Sequence, residues 1–187
     1  MSYFVTGGTG FIGQNLIPLL LARRGTVYVL VRAGSLDRLE QLKARWGRAA
    51  RKVVPITGDL TRPFLGISPA QRKELQGKIT HLFHLAAIYD LKADAAQQEA
   101  ANIKGTTHAV RFAEAVGAKR FHHVSSIAAA GLYPGTFTGD MFVLLEQVHG
   151  GFYYPTVNFD HYIVTLCRGQ ECHGQNLVAT RITHAQQ

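Results

Sequence analysis

The segment Thr6-Gly-Gly-Thr-Gly-Phe-Ile-Gly13 decides the fold of this 187-residue chain. It follows a short apolar run at residues 2–6, which is typical of a buried strand. It leads into residues 11–24, where apolar side chains recur at helical spacing. A strand, a glycine-rich turn and a helix in this order are the context of a dinucleotide fingerprint.

Three of the four glycines of the turn have separate predicted roles. Gly7 suits the tight turn, Gly10 lets the backbone approach a pyrophosphate, and Gly13 lets the helix pack closely on the sheet. The helix N-terminus offers unpaired N–H groups and a positive dipole end to the phosphates. The turn is therefore predicted to bind a cofactor through Gly7, Thr9, Gly10, Phe11, Ile12 and Gly13.

The rest of the chain alternates short apolar runs with helical patterns. Strands are predicted at residues 2–6, 26–32, 52–57, 80–85, 119–125 and 177–182. Helices are predicted at residues 11–24, 36–46, 69–76, 93–116 (with a break near Gly105) and 158–172, and a long loop at residues 131–155. This alternation predicts parallel strands joined by right-handed crossovers, in a Rossmann-like α/β fold with a doubly wound sheet and three layers. We expect one domain over residues 1–187, whose part from 143 to 187 differs in holding no lysine.

The end of the second predicted strand indicates which dinucleotide binds. An acidic residue at this position would bind the ribose 2′-hydroxyl of NAD. The chain has Arg32 there, with Ser35 and Arg38 close by. Because a guanidinium can make a bidentate contact with a 2′-phosphate, we predict NADP in preference to NAD.

The charge of the chain is uneven. It has 20 basic and 12 acidic residues, a net charge of +8. Most of the excess lies between Arg23 and Lys52, where only Asp37 and Glu40 oppose nine basic residues. Such a stretch suits an anionic ligand, a nucleic acid or a solvated helix face. Since no nucleic-acid motif accompanies it and a 2′-phosphate accounts for part of the charge, we predict no nucleic-acid partner.

Composition excludes several classes of protein. With 47% hydrophobic and 17% charged residues the chain can build a core, which argues against disorder, collagen and a small disulfide scaffold. It has no long apolar run and no signal-peptide pattern, so we expect a cytoplasmic protein without a membrane partner. The cysteines Cys167 and Cys172 and the scattered late histidines predict neither a disulfide nor a metal site.

Several motifs resemble those of the extended short-chain dehydrogenase/reductases. They are residues 6–13, Gly58-Asp59-Leu60, His84-Leu85-Ala86-Ala87, Asn102 and Val124-Ser125-Ser126. Leu30-Val31-Arg32 and Ile88-Tyr89-Asp90 are most similar to the branch that contains thioester reductases and fatty acyl-CoA reductases. The resemblance covers about residues 1–142 and implies a Rossmann domain with a smaller C-terminal substrate lid.

The resemblance also implies roles for residues outside the glycine turn. Asp59 and Leu60 would lie at the adenine, Ala86 and Ala87 beside the cofactor, and Asn102 would be a structural or proton-relay residue. The implied reaction is hydride transfer to or from a carbonyl, an alcohol or an acyl thioester of an apolar small molecule. Sugar-nucleotide epimerases and dehydratases share the fold and motifs and remain a variant of this hypothesis. The family often pairs through its long helices, so a homodimer is left open.

The catalytic residues of the family are a serine, a tyrosine and a lysine four residues after the tyrosine. Ser126 matches the serine, whose hydroxyl would hydrogen-bond the substrate carbonyl. Counting back from residues 173–182, which resemble the sixth strand of the family, puts the tyrosine at Tyr154. Asn158 stands where the lysine would be, and it brings no charge to favour the phenolate.

Two hypotheses on the function of the protein follow. It is an NADP-dependent oxidoreductase, or it is a catalytically impaired or truncated dinucleotide-binding protein, that is, a sensor or a fragment.

The C-terminus is the second departure from the family pattern. The chain ends at Gln187, five residues after Ile182, whereas family members continue into the substrate lid. We therefore expect the lid to be largely absent. Two explanations stay open, a diverged member with a shortened chain and a truncated or frame-altered coding sequence.

Overall fold

A computed structural model of the chain describes residues 1–87, 99–126, 160–166 and 178–182. The chain divides into two units, Met1–Phe121 and His122–Gln187. Among the described residues, no helix has both the length and the apolar character needed to cross a membrane.

Among the described residues, the first five strands and four α-helices follow the predicted alternation. The strands are β1 (Tyr3–Thr6), β2 (Val27–Val31), β3 (Val53–Thr57), β4 (His81–His84) and β5 (Arg120–Ser126). The helices are α1 (Phe11–Leu21), α2 (Leu36–Trp46), α3 (Pro69–Leu75) and α4 (Gly105–Ala115). A π-helical turn at Glu99–Lys104 precedes α4, so the predicted break near Gly105 is the point where the π-helical turn becomes α-helical.

The sheet has the strand order β3-β2-β1-β4-β5. β1 pairs in parallel with β2 and with β4, in registers that include Val5↔Val29 and Thr6↔His84. After β1 the chain builds β2 and β3 on one side, then crosses over to β4 on the other side. The strand order therefore reverses between β1 and β4, and ligands of such sheets bind outside the carboxyl ends of the strands at this switch point.

Side chains of β1 bury apolar surface on both faces of the sheet. Tyr3 and Val5 join a core with Ile17 of α1 and Leu39 of α2. Phe4 is fully buried, and the centroid of its ring lies 4.6 Å from the ring centroid of Phe112 of α4. Because successive residues of a strand point to opposite faces, α1 and α2 cover one face and α4 covers the other. The predicted three-layer Rossmann-like fold is thus confirmed.

The second unit contains a pair of strands, β6 (Asp160–Leu166) and β7 (Val178–Ile182). They pair antiparallel, with Ile163 opposite Thr180. The prediction of a helix at residues 158–172 is therefore wrong for residues 160–166. The aromatic and β-branched run from Tyr162 to Thr165 favours a strand, and β7 supplies the partner that this run needs. The predicted loop at residues 131–155 and both cysteines lie outside the described residues.

Candidate dinucleotide-binding site

The glycine turn brings the end of β1 against the segment after β4. Gly7 has φ +71°, a left-handed conformation that a residue with a side chain rarely adopts. A Cβ at this position would lie 2.7 Å from the amide nitrogen of Ala86. The amide of Gly10 donates to the carbonyl of Gly7 at 3.0 Å and closes the turn. Gly7 is therefore required both by its conformation and by the close approach of Ala86.

The start of α1 packs directly on the turn. A Cβ at Gly13 would lie 2.5 Å from Cα of Gly8, a separation that real side chains do not show. A Cβ at Gly8 would lie 2.6 Å from Cγ1 of Val29 in β2. Gly8 was missed by the sequence interpretation, although the doubled glycine at positions 7 and 8 was its signal. Gly8 and Gly13 thus let the turn, α1 and β2 approach one another.

The N-terminus of α1 is open to an anion. Its N-cap residue is Gly10, and no side chain caps the helix. The first turn of α1 contains no acidic residue, and Phe11 is 78% exposed. A helix start with uncapped N–H groups, a positive dipole end and no carboxylate favours phosphate oxygens. The turn and the helix start therefore fit the diphosphate of a dinucleotide.

A buried chain of hydrogen bonds lies beside the turn. Oγ1 of Thr6 is 2.8 Å from Nδ1 of His84, and Nε2 of His84 is 3.1 Å from Oγ1 of Thr106. The hydroxyl of Thr106 donates to the carbonyl of Asn102 at 2.6 Å, and the amide of Ala86 donates to Oγ1 of Thr6 at 3.3 Å. Thr6, His84 and Thr106 are each at most 4% exposed. The chain of bonds links β1 and β4 to α4 and to the π-helical turn.

These bonds have a definite direction. The Thr106 hydroxyl donates its proton to the Asn102 carbonyl, so it accepts from Nε2 of His84. In the neutral imidazole the other ring nitrogen, Nδ1, carries no proton and accepts from the Thr6 hydroxyl, which itself accepts from the Ala86 amide. The neutral imidazole with its proton on Nε2 satisfies every one of these groups. The network fixes the end of β1, from which the glycine turn starts, and it was not predicted from the sequence.

Thr106→Val is expected to destabilise the protein by about 1–3 kcal/mol, because it removes a buried hydrogen bond between the threonine hydroxyl and the imidazole of His84. The measurement is the free energy of unfolding from denaturant titration. Thr107→Val is the matched control, since the Thr107 hydroxyl makes the same kind of bond, to the Ile103 carbonyl at 3.1 Å, but on the surface. Equal losses in the two variants would contradict a special role for the buried network.

The residues predicted to choose between NADP and NAD lie just after β2. Arg32 is exposed and precedes a 3₁₀ turn at Ala33–Ser35, in which the Ser35 amide donates to the Arg32 carbonyl at 2.8 Å. Ser35 is half-buried at the start of α2, and Arg38 is exposed one turn later. The local turn thus keeps the three predicted residues together at one end of the sheet.

Asp59 and Leu60 lie next to this basic end. The amide of Gly58 donates to the Val31 carbonyl at 3.0 Å, so the segment after β3 borders the end of β2. Oδ1 of Asp59 accepts from the amide and the hydroxyl of Thr61, both at 2.8 Å. These bonds, and then the charges of Arg62 and Arg32, hold the pKa of Asp59 below its ordinary value of 3.8. Asp59 is therefore an anion near the Arg32 guanidinium at neutral pH.

The imidazole of His108 binds the backbone of Leu60, the residue after Asp59. Its Nδ1 lies 2.9 Å from the carbonyl oxygen of Leu60, which can only accept, so Nδ1 donates. His108 belongs to α4, whereas Leu60 follows β3. No local pattern marks this contact, and the sequence interpretation missed His108.

Of the remaining predicted residues, three lie in the described part of the chain and the candidate tyrosine does not. Ala86 and Ala87 follow β4, where Ala86 touches the glycine turn and Ala87 is exposed. Ser126 is the last residue of β5. Tyr154 and Asn158 lie outside the described residues. In the part of the chain that the structure describes, no three His, Cys, Asp or Glu side chains form a group that could hold a metal ion.

Comparison with known proteins gives one family match and several relatives. Residues 5–150 match the family of NAD-binding domains described as male sterility protein. The chain is 36% identical over 132 residues to a polypeptide of the linear gramicidin synthase from Brevibacillus parabrevis, which is 66% of this chain and 3% of that protein. It is 34% identical over 154 residues to aldehyde reductase lnaA of Aspergillus flavus, which is 77% of this chain and 15% of that protein.

Solved structures show the same fold. The terminal R domain from the myxalamid PKS-NRPS biosynthetic pathway superimposes with a TM-score of 0.64 at 28% sequence identity. The match covers 72% of this chain and 36% of the R domain. This chain therefore spans a small part of its curated relatives and about a third of the structural relative.

Proposed function

This chain belongs to the male sterility protein family of NAD-binding domains, and we propose that it is an NADP-dependent oxidoreductase of the short-chain dehydrogenase/reductase type. The observation that carries the proposal is the glycine turn, in which Gly7 and Gly13 leave no room for side chains below an uncapped helix N-terminus. This geometry suits a dinucleotide diphosphate better than any ligand without phosphates.

The preference for NADP is supported by the charges after β2. The exposed Arg32 and Arg38 and the half-buried Ser35 offer two guanidinium groups and a hydroxyl to a 2′-phosphate. The carboxylate of Asp59 near Arg32 already balances part of the charge there. Arg32 and Arg38 together therefore supply the positive charge of the proposed 2′-phosphate contact.

The proposed chemistry is hydride transfer to a carbonyl carbon or, in the reverse direction, from the carbon of the corresponding alcohol. The bound nicotinamide supplies or accepts the hydride. We assign Ser126 to donate a hydrogen bond to the substrate carbonyl oxygen and Tyr154 to move the proton at that oxygen. The name of one relative, aldehyde reductase lnaA, supports an aldehyde as the substrate. The alternative of an apolar acyl thioester rests on the resemblance of residues 30–32 and 88–90 to thioester reductases and fatty acyl-CoA reductases.

The test is a calorimetric titration of the protein with NADPH and, separately, with NADH at fixed moderate salt. Wild type is expected to bind NADPH at least about tenfold more tightly than NADH, and Arg32→Gln to lose most of this preference without weakening NADH. Arg23→Gln is the matched control, because Arg23 is equally exposed but follows the far end of α1. Failure of wild type to bind either nucleotide would contradict the proposal.

A second candidate function is dinucleotide binding without catalysis. It is favoured by Asn158, which stands four residues after Tyr154 where the family has its lysine. Both candidates require the nucleotide to bind, so the calorimetric titration does not separate them. The separation comes from variants at Tyr154 and Asn158.

A further inference from the structure

A partly open pocket of about 160 Å³ lies between helices α1 and α2, and the proposed function does not use it as a whole. It is lined by Gln14 of α1 and by Arg38, Gln41, Leu42 and Arg45 of α2. The four residues of α2 have the spacing i, i+3, i+4 and i+7, which places them on one stripe of the helix. This stripe faces Gln14, so the pocket is built by regular helical geometry and not by a loop.

The pocket lining is basic and has no carboxylate. Arg38 and Arg45 contribute two guanidinium groups, and Gln14 and Gln41 contribute two carboxamides. Glu40 of the same helix binds Lys43 at 2.8 Å on another part of its surface. Within the described part of the chain, neither arginine of the pocket forms an ion pair. The positive charge of the pocket is thus not balanced by the residues that form it.

The two arginines can act on one ligand. Side chains of a helix lean toward its N-terminus, so Arg45 covers the turn that contains Gln41 and Leu42. Leu42 is 6% exposed and forms an apolar floor. Both arginines line the same pocket, so an anion in it is attracted by two positive charges.

We propose that the pocket is an oxyanion site that binds a phosphate group. Its donors are the guanidinium groups of Arg38 and Arg45 and the side-chain NH₂ groups of Gln14 and Gln41. The planar fork of a guanidinium matches the oxygens of a phosphate, and carboxamides donate further hydrogen bonds without adding charge. Two sources could supply this phosphate, the 2′-phosphate of the cofactor or a phosphate separate from the cofactor.

The test is a titration of the full chain with inorganic phosphate, followed by calorimetry at constant ionic strength set with potassium chloride. Arg45→Gln is expected to weaken phosphate binding by about tenfold to a hundredfold, since it removes one of two charged donors. Arg48→Gln is the matched control, because Arg48 is also exposed and basic but does not line the pocket. Melting temperatures equal to that of wild type establish that both variants are folded.

Absence of phosphate binding in wild type, or equal losses in Arg45→Gln and Arg48→Gln, would overturn the proposal. Repeating the titration with saturating nucleotide identifies the source. Loss of phosphate binding with NADPH but not with NADH means that the 2′-phosphate fills the pocket. Retained binding with both means a separate phosphate, and Arg38 then belongs to this pocket and not to the 2′-phosphate contact. Because inorganic phosphate alone is the first probe, failure of this site is distinct from failure of the protein to bind NADPH.

Discussion

Gly13→Ala is expected to lower the affinity for NADPH by about tenfold to a hundredfold, because the loss of one hydrogen bond to a charged phosphate costs about 1.5–3 kcal/mol. The added methyl group would lie 2.5 Å from Cα of Gly8 and 2.7 Å from its carbonyl carbon. Both are backbone atoms and cannot rotate away, so the glycine turn and the start of α1 must separate. The N–H groups that are proposed to bind the diphosphate then no longer converge on it.

The same substitution is expected to reduce stability, although alanine is the better helix former. Replacing glycine by alanine within a helix stabilises by about 0.5–1 kcal/mol. Crowding of a packed site costs about 1–3 kcal/mol, so the net effect is destabilising. Gly34→Ala is the control, because a Cβ at Gly34 meets no atom within 4 Å and its backbone is not left-handed. Denaturant titration gives the stability and calorimetry the affinity, and unchanged NADPH affinity in Gly13→Ala would contradict the proposed site.

The elements that could be predicted from the sequence are those with strong local patterns. The glycine turn, the apolar runs of β1 and β2 and the amphipathic α2 each carry their signal within a few consecutive residues. Parallel pairing then follows from the alternation of strands and helices, because only crossover connections join parallel strands. The switch point between β1 and β4 is a consequence of this order and needs no further information.

The part of the site that escaped prediction depends on contacts between distant segments. Thr6 and Thr106 are one hundred positions apart, yet both bind the imidazole of His84. Gly8 needs its hydrogen side chain because of Val29, which a fingerprint defined along one turn does not include. His108 reaches Leu60 across the space between α4 and the segment after β3. The spacing of residues along the sequence does not indicate such contacts, because the sheet and its crossover connections bring the distant segments together.

The wrong prediction at residues 158–172 has a related cause. A run such as His161-Tyr-Ile-Val-Thr165 is short, and its apolar residues do not separate a strand from a helix by spacing alone. Its β-branched residues favour a strand, and the antiparallel pairing of β6 with β7 supplies the hydrogen bonds that make the strand stable. Tertiary pairing therefore decides this element.

Tyr154→Phe is expected to reduce turnover by about 10²–10⁴-fold while leaving the affinity for NADPH unchanged, because it removes the proposed proton donor and no group proposed to bind the nucleotide. The measurement is the loss of NADPH absorbance with a series of aliphatic aldehydes and acyl thioesters. Tyr153→Phe is the matched control, since it removes the hydroxyl of the neighbouring residue. A variant at Tyr154 that turns over at the wild-type rate would contradict its role.

The turnover that Tyr154 can support depends on the residue at position 158. A free phenol titrates near pH 10, so only about one in a thousand is ionised at pH 7, and a neighbouring cation favours the phenolate by about 1–3 pKa units. Asn158→Lys restores such a cation and is expected to raise turnover by about tenfold or more in an enzyme limited by this proton transfer. Tyr154→Phe in the same background should remove the gain. If neither wild type nor Asn158→Lys turns over any of these substrates although both bind NADPH, the protein is a nucleotide-binding module, and the catalytic assignment of Ser126 and Tyr154 is wrong.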